Sequence, residues 1–528
     1  MKLHLKRTLT KLNKEVREFT PRTSLLSRKY SLQNKQKLLN WMTQYCQIYH
    51  SLVSEFNPQN IKLSKQKQIK KTTDTTLEYL FLKLLNNKKY NQCLCQNLKF
   101  DEHVIKDLQK INSSQSLGEW FNKYNVEIYD NSPITNTTFI DALTHFLENK
   151  KQLTTKMLLE HEILDMSNVI QEIINQLENS LRFISLKIRQ QIDLGFKYLY
   201  EYKDSELSFK LQTNDDIPLD NIYWSFLYAR MKSVYRLYIK NKPDHIYNKT
   251  PINFDIYLLD TPKYFPRKGK VFGPDEVNSG CTYQSTINEK YINIWRKEEH
   301  FKLILHESIH YYNIDHSHNF MNEKVDVNCH YQIINNEGPR IFEALTESLT
   351  VFLNSFANAY QIYYLENKTI KNKPILDTYD FQKIDEIRDE LFFQEKKFFA
   401  LQIAKIVKHI NPDAQTFKQF LIKPEHCDLS RTRQKNKLEE TTSLLSYHII
   451  KGTNIIFDQE FLEWIQDPVN FKISSFNDFF TYIAQKTHSQ IFINLINQAL
   501  KYIKDLDDNG IKLSNSLRMT LYETELAI

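Results

Sequence analysis

Tyr291-Ile292-Asn293-Ile294-Trp295 leads, through Arg296 and Lys297, into Glu298-Glu299-His300-Phe301-Lys302-Leu303-Ile304-Leu305-His306-Glu307-Ser308-Ile309-His310. The first five residues are rich in β-branched and aromatic types and alternate in character, which predicts a strand. The longer run predicts a helix. Glu298 and Glu299 sit where the helix dipole favours negative charge, and Phe301, Leu305, Ile309 and Tyr312 recur at spacings of three and four, giving one buried face. His306 and His310, four apart, then project one turn above each other. Two neutral imidazoles so placed can ligate one tetrahedral zinc ion, and Glu307, beside the first, can serve its water as general base. At this chain's histidine and acidic content, chance supplies roughly 0.06 such patterns per chain, and the flanking strand and helix narrow it further. The competing reading is a core helix with two satisfied histidines. It leaves two imidazoles and a carboxylate on a buried face, which is costly without partners.

A catalytic zinc takes three protein ligands and a water, and two residues compete for the third place. Asn336-Glu337-Gly338-Pro339 reads as a turn, with Pro339 suited to a first helical position. A strongly apolar helix follows, with Phe342, Leu345, Leu349 and Phe352 on one side. Glu343 and Glu347 lie four apart on nearly one stripe of it and need cationic or metal partners there. Glu343 can bind the metal, and Glu347 can accept the second ring N–H of a ligating histidine. The alternative for both is a solvated acidic face. The other contender is His316, because His306 to His316 reads H-E-x-x-H-x-x-N-x-x-H, with Asn313 at a position suited to a left-handed turn. That spacing belongs with a methionine turn below the metal. The methionines beyond His316 are Met321, too close, and Met519, far along the chain.

H-E-S-I-H followed by a helix carrying E-A-L-T-E resembles the gluzincin class of zinc metallopeptidases, over about residues 280 to 355. The resemblance implies His306, His310 and Glu343 as zinc ligands, Glu307 as general base and Glu347 as the acid that orients a ligating histidine. N-S-G-C-T-Y, then I-N-I-W-R-K-E-E before the zinc helix, is also similar to metallopeptidases encoded by large DNA viruses. Gluzincins draw an oxyanion donor from further along the chain. The local candidate is Tyr447-His448, in Ser443 to Ile450, against the alternative that this pair is core. They also commonly bind substrate as a strand added to a sheet edge. Gly280 to Ile287 is either that edge or an ordinary strand.

The expected fold class is α+β and predominantly helical. Three regions are expected: a helical N-terminal region over 1–215, a small zincin-like core over 216–365, and a helical region over 366–528 that completes the cleft. Helical periodicity runs from about Thr138 to Tyr202, Phe381 to Ile410 and Phe476 to Ile503, while strand-like text, including Phe254 to Leu259, concentrates between Ile252 and Trp295. Four of only eight glycines (Gly269, Gly273, Gly280 and Gly338) surround the motif, marking turns and close approaches.

The 528 residues are 41% hydrophobic, enough for a large core, and 25% charged. No apolar run nears the ~18 residues of a membrane span. The basic start, Met1 to Arg7, lacks the apolar centre of a signal peptide, so the expected location is the cytoplasm, or the virion for a viral protein. Six cysteines in so long a chain make no disulfide framework, and Cys93 and Cys95 read as reduced thiols. A net charge of +7 is mild. The basic run Lys62, Lys65, Lys67, Lys70 and Lys71 has no interleaved aromatics and reads as a solvated linker, not a nucleic-acid site. The expected activity is zinc metalloendopeptidase action on a protein or peptide. The alternatives are an inactive scaffold or virion component of the same fold, and a zinc hydrolase of a non-peptide amide.

Overall fold

The structure, a computed structural model, describes residues 11–22, 30–66, 194–242, 251–267, 271–286, 289–316, 330–335, 340–422, 438–440, 442–511 and 514–522, with isolated positions between them. Residues 1–66 and 196–528 form one compact unit and residues 67–195 a second. The boundaries expected at 215 and 365 both fall inside the first unit. Lys67, Lys70, Lys71, Cys93, Cys95, Gly269, Gly338, Met321 and the helical stretch read over 138–183 lie outside the described residues.

Two helices, α1 (Lys11–Glu18) and α2 (Leu32–Glu55), precede the first strands, β1 (Lys62–Lys65), β2 (Tyr198–Lys203) and β3 (Leu207–Thr213). The reading of 198–213 as part of a helical region is therefore corrected. Tyr198-Leu-Tyr-Glu-Tyr-Lys alternates along an antiparallel hairpin, whose turn is set by Asp204 accepting from the Glu206 and Leu207 amides at 2.7 Å each. Lys62 to Lys65 is likewise strand, not linker. It is the first strand of the sheet with all four residues exposed, and lysines there discourage pairing with other chains.

α3 (Tyr223–Tyr238) crosses from β3 to the parallel strand β4 (Ile252–Tyr257); β5 (Gly280–Thr286) and β6 (Glu289–Ile294) follow. The six-stranded mixed sheet runs β1-β2-β3-β4-β6-β5, with β5 antiparallel at the other end. Strict alternation puts Phe209, Leu211, Phe254, Ile256, Ile292 and Ile294 on the buried face, where each large apolar side chain contributes roughly 1.5–3 kcal/mol.

With α4 (His300–Tyr311) against β5 and β6, the remaining helices complete a predominantly helical α+β unit. They are α5 (Ile341–Glu366), α6 (Thr378–Ile410), α7 (Lys451–Ile456), α8 (Asp458–Ile465), α9 (Phe476–Thr487) and α10 (Gln490–Asp508). A small parallel pair, β7 (Ile333–Asn335) and β8 (Leu438–Glu440), stands apart from the main sheet. The helix expected from Phe476 to Ile503 is two. Ser489 starts α10 by accepting from the Phe492 amide at 3.3 Å, a side-chain cap that competes with continuation of α9. α4 begins at His300, not within a Glu298–Glu299 first turn, because Glu299 holds a left-handed φ of 66°. α5 is buried along nearly its whole length, with α2, α4, α6 and α7 packed against it. Leu445 to Ile450 form a π-helical turn leading directly into α7. Such wide turns re-aim side chains and recur at functional sites. Among the described residues no helix is long and apolar enough to cross a membrane.

Candidate metal centre

α4 presents His306 and His310 toward Glu343, in the first turn of α5. His306 Nε2 and His310 Nε2 lie 3.1 Å apart; Glu343 Oε2 is 3.2 Å from the second and 3.4 Å from the first. Among the described residues this is the one group of His, Cys, Asp or Glu able to hold a metal ion. Burial alone would push the Glu343 carboxyl up, but the His310 and His306 imidazoles outweigh it and hold the group well below the usual carboxylate range. Leaving one such carboxylate buried and unpaired costs several kcal/mol, so α5 can carry it only against partners of this kind.

Each histidine has a carboxylate behind it. His306 Nδ1 lies 2.8 Å from Glu347 Oε1, facing it without an aligned hydrogen bond. His310 Nδ1 lies 2.7 Å from Asp315 Oδ2, which also accepts from Thr346 Oγ1 at 2.7 Å. A proton on each Nδ1, the nitrogen that faces an acid, would leave both Nε2 lone pairs free to ligate. Glu347 thus lies beside His306, whereas Asp315, behind His310, was not singled out from sequence. The signal that could have found it was Asn313. Its left-handed φ of 52° turns the chain at the end of α4 and brings fully buried Asp315 back to His310. The same turn carries His316 away. His316 packs edge-on against Phe471, with ring centroids 5.8 Å apart, and is outside the ligand group.

Glu307 leaves α4 toward β5. Its Oε2 accepts from Thr282 Oγ1 at 2.9 Å, and a Cβ added at Gly280 would stand 2.9 Å from its Oε1. Gly280 is thus the close approach that its glycine suggested: the sheet's last strand has room for the Glu307 carboxylate because this residue lacks a side chain. Thr282 was not singled out from sequence, since a threonine in a strand carries no distinguishing signal. Burial pushes the Glu307 carboxyl above its ordinary value, and the imidazoles of His306 and His310 offset only part of that.

The comparisons with protein-family models, curated proteins and solved structures return no match. The candidate centre stands on its own geometry.

The Tyr447-His448 pair separates. Tyr447 is half-buried, with its ring centroid 6.1 Å from that of His306. Burial, reinforced by Glu343, Glu347 and Glu307, pushes its phenol well above the ordinary value, so it remains a donor. His448 is corrected as a site residue: it is fully buried, one position on around the π-turn, among Lys451, Lys263 and Glu299. Burial and the two lysines drive its imidazole well below its ordinary value, which keeps it neutral.

Behind Glu347 is a buried charge cluster. Lys302 Nζ donates to Glu347 Oε1, and Lys451 Nζ to Oε2 at 2.7 Å. Burial would raise the Glu347 carboxyl, but these two ammoniums outweigh it and keep it well below the usual range. Gly452 lets α7 sit close to α6, since a Cβ there would meet Ile403 Cδ1 at 2.8 Å. Met519, remote in sequence, reaches this cluster: its sulfur lies 3.6 Å from Lys302 Nζ.

Proposed function

We propose that this protein is a zinc-dependent metallopeptidase of gluzincin type, with His306, His310 and Glu343 as ligands and Glu307 as general base. The observation that carries the reading is the triangle of donor atoms, with edges of 3.1, 3.2 and 3.4 Å. Ligand atoms about 2.0–2.1 Å from a tetrahedral zinc stand about 3.3 Å from one another, so the spacing of the three donor atoms matches that ion. Two imidazoles and a carboxylate are also a donor set that zinc favours. Zinc held by three such ligands supplies Lewis acidity that makes a water nucleophilic at neutral pH.

The chain's own residues then divide the work. The Glu307 carboxylate takes the proton of the attacking water as its oxygen adds to the scissile carbonyl carbon. Thr282 and the gap at Gly280 hold that carboxylate in place. As the carbon–nitrogen bond breaks, Glu307 delivers the same proton to the leaving amine. Tyr447, with its hydroxyl proton retained, donates to the oxyanion that develops on the carbonyl oxygen. β5, last in the sheet among the described residues and beside Glu307, offers its outer edge to an extended peptide.

The first test is zinc content by elemental analysis of purified protein, followed by a peptide-library digest. About one zinc per chain, with cleavage that stops on chelation and returns with zinc, is the expected result. Zinc without peptide cleavage would move the proposal to a non-peptide amide. No zinc after reconstitution would leave a scaffold of this fold.

Two substitutions probe the chemistry. Tyr447→Phe removes one oxyanion donor and is expected to lower kcat about 10²–10³-fold with little change in KM or zinc content. An unchanged kcat would take Tyr447 out of the mechanism. Gly280→Ala forces the Glu307 carboxylate off Thr282. A misplacement on the order of 1 Å can cost about 10²-fold in rate, with zinc retained. Wild-type turnover by that variant would mean that the close approach is not needed.

A further inference from the structure

Glu347 does not hold His306 alone. Its Oε1 faces both His306 Nδ1, at 2.8 Å, and Lys302 Nζ, while Oε2 accepts from Lys451 Nζ at 2.7 Å. Lys302 and Lys451 are both fully buried. The position of the oxygen that faces His306 is therefore set by two ammoniums, one from α4 and one from α7.

Those lysines are in turn held by the segment 514–522. Lys451 Nζ donates to the Met519 carbonyl at 2.9 Å, and Lys302 Nζ contacts the Met519 sulfur at 3.6 Å. The segment is seated as a peptide ligand would be, with its backbone bound by side chains. Buried Glu299 accepts from the Met519 and Thr520 amides, and buried Glu395 accepts from the Leu521 and Tyr522 amides. Gln402 donates to the Ser516 and Arg518 carbonyls. A short antiparallel contact joins it to Lys263–Phe265. Leu517, Met519 and Leu521 are buried apolar anchors. Glu299 immediately precedes α4, the helix that carries both histidines.

We propose that Lys302 and Lys451 are positioning residues of the metal centre and that segment 514–522 sets them, so that seating of this segment and zinc affinity are coupled. The inference rests on the zinc reading above. The route is contiguous: segment backbone and Met519, then Lys302 and Lys451, then Glu347, then His306. An acid that orients a ligating histidine controls metal affinity by roughly 10–100-fold, and the two lysines act through that acid. Coupling of binding is reciprocal, so zinc must in turn hold the segment more tightly.

The experiment is a zinc titration against a chromophoric chelator on the full chain, for wild type, Lys302→Met, Lys451→Met and Lys232→Met. Lys232 is a comparably buried control whose acidic partners include Glu206, at 2.7 Å, and Asp204, in the β2–β3 turn. Weakening of zinc by roughly tenfold or more in the first two variants, with Lys232→Met near wild type, is expected. A thermal melt of each metal-free variant separates this from general loss of stability. In wild type, zinc is also expected to slow hydrogen exchange of the Met519–Leu521 amides, and Lys451→Met to abolish that slowing. Equal zinc affinities in all four proteins would overturn the proposal while leaving the zinc site intact. Should both variants fail to fold, exchange in wild type decides: amides of 519–521 that ignore zinc sink the idea. Wild type that binds no zinc removes the zinc reading itself, and this inference with it.

Discussion

Glu307→Gln is expected to keep one zinc per chain and the wild-type fold while losing about 10²–10⁴ in kcat, the range that a positioned general base supplies. The amide has nearly the volume of the carboxylate and can still accept from Thr282, whose hydroxyl lies 2.9 Å from Oε2. Residue 307 lies outside the proposed ligand group, so the three donors of His306, His310 and Glu343 are expected to remain in place. In the proposed mechanism, what the substitution removes is the capacity to carry a proton from water to the leaving amine. Parallel measurement of zinc content and single-turnover cleavage decides the matter. Full activity in Glu307→Gln would place the base elsewhere, and loss of zinc together with activity would mean that Glu307 acts on the ligands rather than on the water.

The second large effect is on the metal itself. Glu343→Ala is expected to strip most of the zinc, a larger loss than the roughly 10–100-fold that follows from disturbing an orienting acid. Only two imidazoles would remain, and a two-ligand site on one helix is a poor match for tetrahedral zinc. His316→Ala is expected to retain zinc fully, because His316 packs on Phe471 beyond the turn at Asn313. Elemental analysis of the two variants beside wild type is the check. Zinc lost from His316→Ala and kept in Glu343→Ala would reverse the ligand assignment.

Much of this arrangement was legible in the chain. Spacing of four on a helix dictates that His306 and His310 share a face, and the same rule places Glu343 and Glu347 on one stripe of α5. The strand before α4 was legible from its alternation, and Gly280 from the scarcity of glycine. Periodicity misled at 198–202, where alternating tyrosines belong to a strand of a hairpin, and at Ser489, a capping residue that interrupts an otherwise continuous apolar pattern. The reading of Tyr447-His448 as a pair failed in part. Neighbours on a helical turn point in different directions around its axis, so one faces the candidate metal centre and the other the buried charge cluster.

Local sequence determined the donors and the helices that carry them, because the relevant distances span one helical turn and follow from backbone geometry alone. Tertiary structure decided everything that depends on approach between elements remote in the chain. It brought Glu343 rather than His316 to the two histidines, set Asp315 behind one of them, and laid β5 against Glu307. It also carried Met519 to Lys302, 217 positions away. Such contacts arise because buried carboxylates and ammoniums must find partners on folding. No periodicity records which partner lies across the core, since that choice is made by the packing of whole helices.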